Sequence, residues 1–172
     1  MRRLLLFAAL VCAASLSVLA QDTGDHPIIK KGMEAKYGPV PGLPDCATVS
    51  PQHGDPSQGA AVLLMQLEAG CTIPWHWHTA SESLFPVSGL LQVQAIDGKP
   101  VVLKSGDYGY MPGKHVHLGK CAGSKPCSFF LEIDAALDIH YVDKAGKEIT
   151  PDVALASVNK PPKNPGEKSA QH

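Results

Sequence analysis

From residue 60 to residue 143 the chain is a succession of short apolar runs, each closed by a turn signal, with no long helical pattern between them. The runs at 61–67, 72–78, 83–88, 90–96, 100–103, 108–111, 116–121, 128–135 and 138–143 read as strands. Glu68-Ala69-Gly70 and Asp97-Gly98 supply clear turns between them. Strands this short and this closely spaced pair antiparallel. They predict an all-β domain that closes on itself as a sandwich or barrel.

One run carries chemistry. Its pattern is Gly70, five residues, His76-x-His78, three residues, Glu82, six residues, Gly89. Side chains alternate along a strand, so His76 and His78 share a face while Trp75 and Trp77 share the other. Glu82 lies an even number of residues further on and can return to the histidine face. Two neutral imidazoles and a carboxylate suit one divalent transition metal: manganese, iron, nickel, copper or zinc. An ordinary pair of surface histidines would not need the added glutamate and the framing glycines.

Gly70, His76, His78, Glu82 and Gly89 resemble the first motif of the cupin family, and Gly106, Pro112 and His117 resemble the second. The chain departs from the second motif at Lys114, where the family usually has glycine, and at Cys121, where it often has asparagine. The resemblance covers about residues 55 to 142. It implies a single conical β-barrel of jelly-roll type, with His76, His78, Glu82 and His117 as the metal ligands. It also implies an open coordination position, where Glu82 could leave the metal to act as a base. A homodimer is common in such proteins, and outward tryptophans would suit its interface.

The ends read differently. Met1-Arg2-Arg3 precedes an apolar run of about sixteen residues, shorter than the roughly 20 of a membrane span. Val18 and Ala20 suit the positions before a signal-peptidase cut. We expect residues 1–20 to be a signal peptide, the product to be periplasmic or secreted, and no membrane association after cleavage. Residues 21–54 are rich in Pro, Gly, Asp and Lys and are expected to form an irregular arm, with a short helical turn near Met33 to Tyr37. The barrel is assigned to 55–143. Residues 144–172 form a C-terminal extension expected to be largely disordered, because the end from Asn159 has almost no apolar content.

The only arginines, Arg2 and Arg3, leave with the leader, and the scattered lysines are outnumbered by acids. Nucleic-acid binding is therefore not expected. Cys46, Cys71, Cys121 and Cys127 remain, an even set that favours disulfides in an exported chain. Cys121 and Cys127 bracket the loop Ala-Gly-Ser-Lys-Pro and are expected to pair, leaving Cys46 with Cys71. Thiolate metal ligation, the competing use, fits export less well.

His115 has the parity of His117 and is a candidate fifth ligand or proton shuttle, although its motif position is a turn that usually faces solvent. Tyr108 and Tyr110 are expected in the core, and Glu132 and Asp134 on the outer surface. Leu91, Val93, Met111 and Phe130 are expected to wall the pocket. Such walls suit a small apolar or aromatic ligand. The expected function is that of a metal-dependent enzyme with dioxygenase-like or isomerase-like chemistry on a small molecule. The alternative is a non-catalytic binding or sensing module.

Overall fold

The computed structural model describes residues 27–158. The expected signal peptide and the end of the chain from Asn159 lie outside the described residues. Ten strands form within them: β1 (Ala47–His53), β2 (Ala61–Leu67), β3 (Thr72–Trp77), β4 (Glu82–Ser88), β5 (Leu90–Ala95), β6 (Val101–Leu103), β7 (Gly109–Met111), β8 (His117–Ala122), β9 (Cys127–Ile133) and β10 (His140–Tyr141). A short helix, α1 (Pro151–Ala156), follows with proline in its first turn, where no N–H is needed. No helix among the described residues is long and apolar enough to cross a membrane.

The strands make two five-stranded antiparallel sheets, ordered β1-β2-β9-β4-β7 and β10-β3-β8-β5-β6. Their inner faces pack together. Leu63, Met65 and Leu67 of β2, Leu84 of β4, and Phe129, Leu131 and Ile133 of β9 meet Ile73 of β3 and Leu91 and Val93 of β5 in one apolar cluster. Each such side chain contributes about 1.5–3 kcal/mol by leaving water. The strands that build this wall alternate cleanly: in β9 the odd-numbered residues from Cys127 to Ile133 are all buried.

That alternation corrects one expected wall residue. Phe130 points outward, 37% exposed, and Phe129 takes the inner position. Glu132 and Asp134 point outward as their parity requires. Tyr108 and Tyr110 are not core residues; they are 57% and 53% exposed. The Tyr108 hydroxyl meets Ser83 Oγ at 3.1 Å, and its ring lies 5.3 Å from that of Phe85.

The arm is less irregular than its composition suggests. A turn of 3-10 helix forms at Gly32–Glu34, but Ala47–His53 is a full strand that pairs with β2 and extends the sheet. Pro51 is tolerated because β1 is an edge strand and its register slips between Pro51 and His53. The extension after residue 143 is also ordered as far as it is described. Val142 bridges to Glu148, and α1 buries Ala154 against the body.

Both expected disulfides form. Cys46–Cys71 joins the start of β1 to the start of β3, and Cys121–Cys127 closes the turn between β8 and β9. Gly89 connects β4 to β5 with φ +75°, and a Cβ there would stand 2.6 Å from the Pro126 carbonyl oxygen. Only glycine allows that approach.

Candidate metal centre

The geometry of the centre begins at Pro74. A proline has no N–H to give to a neighbouring strand. The β3–β8 pairing slips here: Ile73 opposes Gly119 and His76 opposes His117, so β3 carries one extra residue. The bulge changes the parity of the strand, which lets Ile73, His76 and His78 all face inward. It also leaves the Pro74 carbonyl free, and His76 Nδ1 lies 2.6 Å from it.

The other two histidines are held the same way. His117 Nδ1 lies 2.8 Å from the His115 carbonyl, and His78 Nδ1 bonds to the Asp138 carbonyl. A carbonyl can only accept, so each Nδ1 carries the proton and each Nε2 presents its lone pair. One ligand atom from each of His76, His78 and His117 lies within 4.8 Å of the others. The rings of His76 and His117, register partners on adjacent strands, are 4.3 Å apart.

Glu82 enters from the opposite sheet as the first residue of β4. Its Oε1 is 3.2 Å from His78 Nε2 and its Oε2 is 3.1 Å from His117 Nε2. All four side chains are buried. With Nδ1 protonated, lone pairs face each other across both gaps. Such an arrangement needs a shared cation between them, either a proton or a metal ion. The donor set of three imidazoles and one carboxylate fits a divalent transition metal on this ground.

Protonation favours the same use. Burial, with His117 and His78 beside it, holds His76 well below the ordinary imidazole range, so it is neutral at pH 7. Burial pushes Glu82 upward, but its contacts with His117 and His78, across which a cation is shared, outweigh it. Its carboxyl therefore lies below the usual range and is ionised.

The loop between His78 and Glu82 is pinned from three sides. Thr79 N donates to Asp138 Oδ1 at 2.7 Å, Ser81 N donates to Asp134 Oδ1 at 2.8 Å, and Lys114 N donates to the His78 carbonyl at 2.7 Å. Lys114 adopts φ +64°, the one non-glycine residue in the left-handed region among those described. Its place explains why a glycine would be easier there. His115 turns away from the cluster, with its ring 3.6 Å from Asp97, and serves through its carbonyl alone. Asp138 is the residue that sequence reasoning missed: its carbonyl orients His78 and its carboxylate holds Thr79. A main-chain contact leaves no residue-type signal. Pro74 did leave one, since proline inside a strand marks a bulge.

On the barrel side of the cluster is a cavity of about 50 Å³ lined by His76, Glu82 and His117 and by apolar side chains including Leu91, Val93 and Phe129. Leu91 and Val93 stand where expected, whereas Met111 is not part of this wall.

An all-β double sheet with a buried His/Glu cluster between its faces defines the class. Residues 63–134 match the family model described as the cupin domain. The polyketide cyclase RemF from Streptomyces resistomycificus superposes with a TM-score of 0.58 at 14% identity, over 67% of this chain and 87% of that one. The DMSP lyase DddQ from Ruegeria pomeroyi gives 0.51 at 17% identity, over 64% and 68%. KdgF from a Halomonas species gives 0.51 at 16%, over 62% and 93%. At these identities the likeness is one of fold. No curated protein matches the sequence. Over residues 63–134 the chain is thus similar to the cupin domain, and the solved structures share its fold.

Proposed function

We propose that His76, His78, Glu82 and His117 hold one divalent transition metal, and that the chain is a metal-dependent enzyme acting on a small molecule. The observation that carries this reading is the convergence of three Nδ1-anchored imidazoles and an ionised carboxylate on one buried point. Histidines that merely filled a core would not each need a carbonyl aiming the second nitrogen inward. Because His76 and Glu82 are already deprotonated at neutral pH, neither must lose a proton for a metal to bind.

A metal there would supply Lewis acidity toward a substrate oxygen pair and, if redox-active, chemistry with dioxygen. The chain's own groups supply the rest. Glu82 is the one carboxylate of the cluster and the base that can take a proton from a substrate hydroxyl. The apolar wall around it excludes water and strengthens each charge interaction. Dioxygenase-like or isomerase-like chemistry on an enol or hydroxy-carbonyl compound suits these parts. The two disulfides support an oxidising compartment, in keeping with export by the N-terminal leader.

The test is elemental analysis of the purified mature chain, followed by oxygen consumption and product analysis with enols, catechols and hydroxy-ketones. About one metal ion per chain and turnover lost in Glu82→Gln are expected. Retained metal with tight binding but no turnover across the panel would make the protein a binding module. Wild-type chain without metal would overturn the reading.

A further inference from the structure

A second cavity reaches the cluster at His78. It has a volume of about 130 Å³ and lies between the arm (Val40, Pro41, Leu43) and the segment Leu137, Asp138, Ile139, with His78 also in its wall. The geometry points to this pocket as the seat of the substrate's apolar group: one six-membered ring, or a branched chain of about four or five carbons, carried by a molecule whose oxygens face the metal. The inference rests on the metal reading above and adds the shape of the ligand.

An apolar cavity of about 150 Å³ accepts a benzene molecule. The arm-side pocket is close to that, whereas the inner cavity is about 50 Å³ and has no room for a ring. His78 is common to the pocket and the cluster, so a group seated there lies against one of the cluster's imidazoles.

The chemistry of the wall agrees. Five of the lining residues are apolar, and the polar groups of the other two are already engaged. His78 Nδ1 is bonded to the Asp138 carbonyl. The Asp138 carboxylate accepts from Thr79 N at 2.7 Å and meets His140 Nε2 at 3.2 Å. The pocket therefore offers a ligand hydrocarbon contact, and the polar anchor has to come from the metal side.

The pocket is also preformed. Cys46–Cys71 ties the arm to β3, the Tyr141 hydroxyl donates to the Gly42 carbonyl at 2.7 Å, and Gly38 pairs with Val49. A wall fixed at three points needs little ordering when a ligand enters.

Hydroxamic acids test this, because their paired oxygens bind a metal and their tails can be varied. The mature chain is loaded with cobalt(II), and binding is read from the cobalt absorption bands, with metal content measured alongside. Benzohydroxamate is expected to bind roughly tenfold to a hundredfold tighter than acetohydroxamate, and a naphthyl tail to lose that gain. Leu43→Phe fills the pocket: it is expected to weaken benzohydroxamate at least about tenfold while leaving acetohydroxamate affinity and metal content unchanged. Equal affinity for the two tails in the wild type, or equal effects of Leu43→Phe on both, would overturn the inference. If the variant does not fold, or the wild type keeps no cobalt, benzene is titrated into the metal-free wild type and methyl resonances are followed by NMR. Shifts at Leu43, Leu137 and Ile139 support the pocket even where the metal reading fails; shifts elsewhere, or none, overturn it.

Discussion

The two sheets have the same number of strands but take different shares of the chemistry. The sheet ordered β1-β2-β9-β4-β7 alternates almost without interruption through its inner strands and contributes one charged group, Glu82, to an otherwise apolar inner face. The sheet ordered β10-β3-β8-β5-β6 carries His76 and His117, with His78 just past the end of β3, and breaks register at Pro74. Regular pairing builds the wall, since it puts every second side chain in the core. Placing the histidines needs the irregularity. The bulge brings Ile73 onto the same face as His76 and frees the carbonyl that aims His76. Substitutions in the two sheets should therefore separate stability from metal binding. His76→Ala is expected to reduce bound metal to background by elemental analysis, while the metal-free chain unfolds in urea near the wild-type midpoint. Leu63→Ala, in the regular sheet, is expected to lose about 2–5 kcal/mol in the same urea titration and still bind metal in its folded fraction.

The disulfides extend the comparison, because one joins the arm to the ligand strand and the other closes a local turn. They enclose sequence separations of 25 and 6 residues. Chain entropy then predicts losses of about 3.5 and about 2.2 kcal/mol on replacing each pair with alanine. Denaturant unfolding of the two double variants measures the difference. Equal losses would show that the arm is held chiefly by its noncovalent contacts.

Those contacts centre on Tyr141, which is almost fully buried and donates to Gly42. Burial pushes its phenol above the ordinary value of 10.0. The unfolded chain therefore ionises first, and stability falls as pH rises above about 10. Tyr141→Phe is expected to cost about 1 kcal/mol at neutral pH and to remove this part of the alkaline decline. Stability curves of the two proteins should converge above pH 10, as followed by thermal melts.

The same contrast decides what could be read from the sequence. Strand β2 was legible to the residue, because a solid apolar run between turns has one simple reading. His76, His78 and Glu82 were legible together from their residue types and spacing, and His117 through the cupin resemblance; the structure brings the four side chains together, and the metal between them is our proposal. Strand β1 was hidden: Ala-Thr-Val-Ser-Pro-Gln-His mixes polar and apolar residues, and its pairing with β2 supplies what its own pattern lacks. Tyr108 and Tyr110 were misplaced because they lie at the sheet's edge, where an aromatic side chain stays half in water. Phe130 was misplaced although its neighbours Phe129, Leu131 and Ile133 already fixed the inward parity. The carbonyls of Pro74, His115 and Asp138 were out of reach, since any residue can supply one.

The smallest effect tests the turn that joins the two motifs. Lys114 sits at φ +64°, and its N–H, not its side chain, holds the His78 carbonyl. A side chain in the left-handed region costs about 1–2 kcal/mol, and glycine removes that cost but adds about 0.4–1 kcal/mol of unfolded-state freedom. The balance is a gain of about 0.5 kcal/mol for Lys114→Gly, or roughly 1–2 °C in Tm. Metal content should not change, because the hydrogen bond to His78 survives the substitution. A loss of metal in Lys114→Gly with an unchanged melt would mean that the lysine side chain itself acts on the centre, and that the turn is not simply a strained version of the family's glycine.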